Sequence, residues 1–307
     1  MGNLTNDGNQ TNYDEFYCYR GENGIYQQTL LTLNILISVT AFLGNALIFA
    51  ALPMVTSLHP SSKLLLSCLV LSDLSVGLIS EPSYISYLLS HKHFSLCYYS
   101  DIIYTITAVV FCGVSILTLT AIGVDRLLAL SLGLRYRRIV TTRRVRIFVI
   151  MSWLLSSAAS LTYLFNDLIH TAITCIALSI CVAVSTYCYT KIYFRLRHYH
   201  SQVHDNIYQE PPSEGRPPLN IARYRKTVSS VLWVQLSLLA CYLPYIITTF
   251  LTTSLKMYPP SLDIAWELSI ALLMFNSSLN PILYCWKIAG VRQAVFETIR
   301  KCFHSWS

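Results

Sequence analysis

Charge is scarce in this chain of 307 residues: Asp, Glu, Lys and Arg make up 12% of it, whereas soluble domains carry about a quarter. Hydrophobic residues make up 54%, so the composition excludes a water-soluble globular protein and leaves the bilayer as solvent. The first 28 residues are polar and acidic and lack the apolar core of a cleavable signal peptide. The expectation is that the first long apolar stretch itself targets the chain. The apolar part also lacks a cluster of His, Asp and Glu, which argues against an intramembrane enzyme. Neither a line of intramembrane charges nor a pair of broken helices in corresponding halves is visible, and a transporter or channel would need one of them.

What is present is a series of seven apolar stretches: Thr29–Leu52, Leu64–Ser80, Ile102–Val124, Ile147–Asn166, Leu168–Thr190, Thr227–Leu255 and Leu268–Trp286. Each approaches or exceeds the roughly 20 residues needed to cross a hydrocarbon core of about 30 Å. They are too long for barrel strands, and lipid cannot satisfy open backbone groups, so the spans must be helices. After Trp286, the residues Ile288, Val291, Val295, Ile299 and Cys302 recur at helical spacing opposite Arg292, Gln293, Glu297 and Arg300. That pattern predicts an amphipathic helix on the membrane surface, with Cys302 either palmitoylated or free. The expected fold is an all-α membrane protein: a seven-transmembrane helix bundle with a short amphipathic eighth helix. Its segments are an extracellular stretch 1–28, the membrane domain 29–286, and a cytoplasmic helix and tail 287–307.

Lys and Arg are concentrated in two connections. The third-to-fourth carries Arg126, Arg135, Arg137, Arg138, Arg143, Arg144 and Arg146; the fifth-to-sixth carries Lys191, Arg195, Arg197, Arg216, Arg223, Arg225 and Lys226. The other side has only Arg20, Lys92 and Lys256. Positive loops stay cytoplasmic, so the N-terminus is expected outside and the C-terminus inside, in a multi-pass plasma-membrane protein. The formal charge of +7 then faces anionic lipid, not nucleic acid. Asn3 and Asn9 begin glycosylation triplets on the outer side; Asn276 fits the same pattern inside a helix, where no glycan is expected. Most of the ten cysteines fall inside spans, where Cys packs as a small apolar residue. Cys18 and Cys97 alone face the oxidising side, as a disulfide worth about 2–4 kcal/mol or as two free thiols.

Within these boundaries Asp73 is the only intramembrane carboxylate, and such a group is costly unless it has partners. Candidates for its layer are Asn45, Ser115, Asn276, Ser277 and Asn280; the group is either functional or a hydrogen-bonded structural acid. Pro244 and Pro281 each remove a helical donor and create a place to bend. Asp125-Arg126 ends the third span, where a charge pair also serves as a plain headgroup anchor.

In order and spacing these residues resemble the rhodopsin-like (class A) G-protein-coupled receptors from about Thr29 to Cys302. Gly44-Asn45, Leu69 with Asp73, Ser115 with Asp125-Arg126, Trp153, Tyr189, Cys241-Tyr242-Leu243-Pro244 and Asn280-Pro281-Ile282-Leu283-Tyr284 each stand in their own helix. Leu127 departs from the usual Tyr, Tyr242 from Trp, and Cys181 from Pro. Asp101 occupies the place of the family's usual disulfide cysteine. The missing fifth-helix proline, an outer loop reduced to Asn166-Asp167, and Leu134-Arg135-Tyr136 are most similar to the melanocortin, adenosine and cannabinoid branch. Of the melanocortin acids only Asp101 matches in place. Ala108 stands where amine receptors carry an Asp and Met274 where opsins carry Lys, which implies neither a monoamine nor retinal.

The resemblance implies partnership with an extracellular ligand and a heterotrimeric G protein, coupled by outward movement of the sixth helix. The residues it assigns to activation are Asp125, Arg126, Leu134, Tyr189, Tyr242, Pro244, Asn280, Pro281 and Tyr284, with Arg126 held by Asp125 at rest. It implies no cofactor beyond a sodium ion at Asp73, Ser115, Asn276 and Asn280. The ligand cavity it implies is lined by Glu81, Asp101, Val109, Cys112, Ile173, Ala177, Tyr245, Ile246, Thr249, Ile270 and Leu273. Glu81, Asp101, Asp167, Asp263 and Glu267 near the mouth either attract a cationic group or only solvate the rim. A short peptide or a lipid-like molecule is expected. The competing function is a transporter or channel.

Overall fold

Lipid offers the backbone no hydrogen-bond partner other than itself, and the computed structural model folds every one of the apolar stretches into helix. It describes residues 24–56, 58–90, 93–209, 221–255, 259–287 and 289–304. The helices are α1 (Gly24–Ala51), α2 (Pro60–Leu89), α3 (Phe94–Leu132), α4 (Thr142–Leu161), α5 (Asp167–Gln209), α6 (Ile221–Ser254), α7 (Pro260–Lys287) and α8 (Ala289–His304). No strand occurs among the described residues. Seven of these helices are long and apolar enough to cross a membrane.

The helices start where local chemistry supplies the missing acceptors. His59 precedes Pro60, and its Nδ1 accepts from the Ser61 amide at 3.4 Å; Thr141 Oγ1 accepts from the Arg144 amide at 3.4 Å. Asn166 Oδ1 accepts from the Ile169 amide at 3.0 Å and opens α5. Each is an N-cap that pairs an amide the helix cannot satisfy itself. Between α4 and α5 lie only the tight turn Thr162–Leu164, Phe165 and Asn166, so the connection there is as short as the sequence predicts.

Helix α3 forms the middle of the bundle and packs on α2, α4 and α5, whereas α4 and α5 barely touch each other. Leu69, Val76, Ile116, Leu119, Leu238, Tyr242 and Met274 form the central core. Leu36, Leu43, Leu154, Ile176, Ile180 and Phe250 are exposed on the outside, as a lipid-facing belt requires. Helix α8 buries Val291, Ala294 and Val295 against Ile48, Ala51, Leu52, Leu66 and Val70. Its apolar stripe thus docks where α1 ends and α2 begins, and Arg292, Gln293 and Glu297 are exposed.

Helix α2 is not uniform. An α-helical run Pro60–Ser75 passes through a π turn, Val76–Ser80, before resuming at Glu81. A π turn inserts a residue and rotates everything beyond it, with consequences for Glu81 described below. Gly77 lies in this turn, where an added Cβ would stand 2.6 Å from the Phe42 amide nitrogen and 2.9 Å from the Ser38 carbonyl. Both obstacles are backbone, so neither can move aside cheaply. Gly77→Ala is expected to cost about 1–3 kcal/mol through overpacking, read as a lower thermal unfolding midpoint of the purified protein. An unchanged midpoint would refute the close approach of α1 and α2.

Candidate functional site

The centre of the bundle is organised by Asp73, which is fully buried. Its Oδ1 accepts from Ser115 Oγ and Ser277 Oγ, each at 2.9 Å, and its Oδ2 from Asn280 Nδ2 at 2.7 Å. One carboxylate therefore joins α2, α3 and α7. Ser115 and Asn280 meet Asp73 as expected, but Asn276 does not: its Nδ2 donates instead to the Tyr242 hydroxyl at 3.4 Å. Ser277 takes its place, because one step along a helix turns a side chain by about 100°. Asn45 Nδ2 donates to the Ser277 carbonyl at 3.0 Å, which leaves Asn45 Oδ1 buried without a donor. The layer thus offers a carboxylate, two hydroxyls and amide oxygens. These are hard ligands that fit a sodium ion.

Toward the C-terminal end of α3, Asp125 is buried and accepts from Ser62 Oγ at 3.0 Å and from the Tyr136 hydroxyl at 2.5 Å. Partial burial and that bond to Asp125 both push the Tyr136 phenol up from its usual range. The expected Asp125–Arg126 ion pair is absent among the described residues. Two uncharged donors on α2 and on the α3–α4 connection occupy the carboxylate, and Arg126 is exposed. Tyr189 is buried against Gly123 of α3, and the Tyr284 hydroxyl is buried with no partner. Arg195 donates to Ser131 Oγ, tying α5 to α3, and Gln235 Nε2 donates to Thr186 Oγ1 at 2.7 Å, tying α6 to α5. The side chain of Leu134 lies outside the described residues.

Pro244 and Pro281 both sit inside their helices. Pro281 packs where Gly44 gives it room: a Cβ on Gly44 would stand 3.0 Å from the Pro281 ring. Near Tyr242 a cavity of about 950 Å³ lies between the helices, toward the end of the bundle where α3, α5 and α7 begin. Asp101, Val109, Cys112, Ile173, Ala177, Tyr245, Ile270 and Leu273 line it as expected, and Asp167 and Glu267 join them.

Three expected lining residues do not reach it. Ile246 packs against the central core, one step around α6 from Tyr245. Thr249 is buried beside Thr248, whose hydroxyl bonds Ser269 of α7 at 2.9 Å. Glu81, expected at the mouth, is instead wholly buried inside α2, because the helix continues to Leu89 and the π turn rotates it off the rim.

The aromatic share of the wall was not foreseen: Tyr84, Tyr87, Tyr98, Tyr104, Tyr163 and Trp266 all line the cavity. Tyr84, Tyr87 and Tyr98 lie beyond the predicted spans, where the apolar pattern fades and only aromatic frequency gave a signal. Asp101 accepts from the Tyr163 hydroxyl at 2.6 Å, and Glu267 from that of Tyr26 at 2.7 Å, so two mouth acids are tethered to phenols. Met274, at the floor, meets the Cys112 thiol at 3.6 Å.

Cys97 is disulfide-bonded and almost completely buried in the first turn of α3. Asn3, Asn9 and Cys18 lie outside the described residues. Cys97→Ser is expected to lose about 2–4 kcal/mol of stability. Reductant should bring the wild-type unfolding midpoint down to that of the variant and leave the variant unchanged. Equal midpoints without reductant would show that the bond contributes nothing.

The rhodopsin-family seven-transmembrane receptor model matches residues 44–172 and 162–284. The chain is 27% identical over 299 residues to adenosine receptor A3 of Ovis aries, covering 89% of this chain and 90% of that receptor. It is 26% identical over 305 residues to adenosine receptor A3 of Bos taurus, covering 89% and 90%. With trace amine-associated receptor 5 of Homo sapiens it shares 24% over 312 residues, 92% and 90% of the two chains. The seven helices, the Asp73 layer and this match along most of the chain have one reading: the protein belongs to the rhodopsin family of seven-transmembrane, G-protein-coupled receptors.

Proposed function

We propose that the chain binds an extracellular ligand in the 950 Å³ cavity and activates heterotrimeric G proteins by outward movement of the inner half of α6. The observation that carries this reading is the stack beneath the cavity. Tyr242 packs in one core with Met274 of the cavity floor and holds Asn276, the neighbour of Ser277 in the Asp73 layer, and Arg126 stands exposed at the inner end of the helix that also supplies Ser115. A ligand drives such a change only through different affinity for the two states. Pro244 gives α6 a bend next to Tyr242, so repacking at the cavity floor swings the inner end most. Arg126 then turns toward Tyr189 and Tyr284, whose unpartnered hydroxyl waits at that level, and Leu134 offers the G protein an apolar contact. A sodium ion held by Asp73, Ser115, Ser277 and Asn280 favours the inactive arrangement by neutralising the buried charge.

The ligand that fits is amphipathic: a short peptide or a lipid-like molecule with a basic or neutral head. Asp101, Asp167 and Glu267 border the cavity, and acids in such a mouth attract cations. The trace amine-associated relatives are named for amines, which accords with a basic head. A lipid-like body has a route from the outer leaflet, because α4 and α5 barely touch and the cavity is bordered by Leu155 and Ile173, which are 57% and 39% exposed. The N-terminus lies outside and the C-terminus inside, with Cys18 as the partner of Cys97 and glycans at Asn3 and Asn9.

One cell-based experiment tests this proposal. With an epitope tag at each end, intact cells should admit antibody to the N-terminal tag only. The same cells, screened with basic peptides and lipids, should raise a second messenger above that of untransfected cells. Access to the C-terminal tag would reverse the orientation, and silence to every basic amphiphile alongside a response to an anionic one would overturn the ligand class.

A further inference from the structure

Glu81 differs from Asp73 in what surrounds it. Both carboxylates are fully buried within α2, but Asp73 accepts three hydrogen bonds and Glu81 accepts none: its Oε1 and Oε2 are both without a partner. On α1 the buried Asn34 donates its Nδ2 to the Leu30 carbonyl at 2.8 Å, which leaves Asn34 Oδ1 unpartnered as well. The register of the two helices puts these groups at one level. Ser38 Oγ donates to the Gly77 carbonyl at 2.8 Å; α1 runs inward and α2 outward, so Asn34 and Glu81 each stand one turn outward of that bond. The layer therefore holds three buried acceptor oxygens that no donor among the described residues meets.

The cavity lies on the other side of the same layer. Tyr84 follows Glu81 by three residues, on the same face of α2, and Tyr84 and Tyr104 both line the cavity. The Tyr84 and Tyr104 rings meet at 4.7 Å between centroids, and Ser80 Oγ donates to Thr107 Oγ1 at 3.1 Å, holding α2 against α3 at this height. Tyr87, Tyr245 and Trp266 extend the aromatic wall. An uncompensated buried carboxylate is costly and is stable only with a proton of its own or with a cation. Aromatic faces beside it favour an organic cation.

We propose that Glu81 and Asn34 form the seat for an ammonium group of the ligand, entered from the cavity past the Tyr84–Tyr104 pair. An alkylammonium brings three N–H donors and no acceptor, which matches two carboxylate oxygens and one amide oxygen. Ala108 removes the counter-charge that amine receptors carry on the third helix; here the negative charge approaches from the second helix instead. This inference rests on the cavity being the ligand site and specifies the basic head of that ligand. It does not depend on G-protein coupling.

The test uses the full chain in lipid discs, in KCl at fixed ionic strength, with phenethylammonium as probe and 2-phenylethanol as its neutral counterpart. The ammonium should raise the thermal unfolding midpoint of the wild type saturably, and the alcohol should not. In Glu81→Gln the half-saturating concentration should rise at least tenfold, while Glu297→Gln, at an exposed acid on α8, should respond like the wild type. If Glu81→Gln is not recovered folded, Asn34→Leu carries the test, with a weaker response expected there too.

A response undiminished in the Glu81 or Asn34 variant, or lost equally in Glu297→Gln, would overturn the proposal. So would a wild type indifferent to the ammonium but stabilised when sodium replaces potassium in the Glu81-dependent manner, since the seat would then belong to a metal ion. No G protein is present in this assay, so a failure of coupling and a failure of this seat are seen separately.

Discussion

Arg126→Ala is expected to reach the cell surface at the wild-type level and to lose nucleotide exchange on the G protein that the wild type activates. The reason is positional. Arg126 is exposed near the C-terminal end of α3 and makes no ion pair with Asp125, whose carboxylate is already engaged by Ser62 and Tyr136. Removing its guanidinium therefore leaves no buried partner unsatisfied, and stability should change by less than about 0.5 kcal/mol, as for an ordinary surface substitution. Coupling should fall by roughly 5- to 150-fold, the range of a coupling free energy of about 1–3 kcal/mol. Exchange in lipid discs, normalised to surface-competent protein, separates the two effects. Wild-type exchange in the variant would remove Arg126 from the mechanism.

The second large effect concerns Asp73→Asn. Asn keeps the shape but removes the charge, and its amide presents donors to Ser115, Ser277 and Asn280, which now donate to the carboxylate. If sodium neutralises that charge in the inactive state, replacing KCl by NaCl at constant ionic strength should depress the basal exchange of the wild type. By mass action the shift is again of the order of 5- to 150-fold at saturation. Asp73→Asn should show no sodium dependence. An equal sodium effect in both proteins would place the ion elsewhere.

Most of the architecture was legible in the sequence because bilayer thickness and backbone satisfaction leave few alternatives. The boundaries were not. Hydropathy fades at the headgroups, whereas the hydrogen-bond ladder continues: α5 runs to Gln209 and not Thr190, and α2 to Leu89 and not Ser80. That second difference, with the π turn at Val76–Ser80, moved Glu81 from an expected rim position into the interior. Periodicity assumes a constant turn, so an inserted residue is invisible to it. The Asp73 layer was legible to within one residue. Ser115 and Asn280 were placed, but whether Asn276 or Ser277 faces Asp73 depends on the rotation of α7, which packing against Tyr242 decides. In the cavity Tyr245 was foreseen but its neighbours Ile246 and Thr249 were not separated from it, again a matter of helix rotation.

The central claim is that α6 moves outward at its inner end when the receptor engages a G protein. Nitroxide labels at Leu130 on α3 and Ser230 on α6 report that distance directly by pulsed electron resonance in lipid discs. On adding nucleotide-free heterotrimeric G protein, the account predicts a new population longer by roughly the diameter of a helix, about 10 Å, reversed by guanine nucleotide. A distance distribution unchanged by a G protein that is demonstrably bound would contradict it.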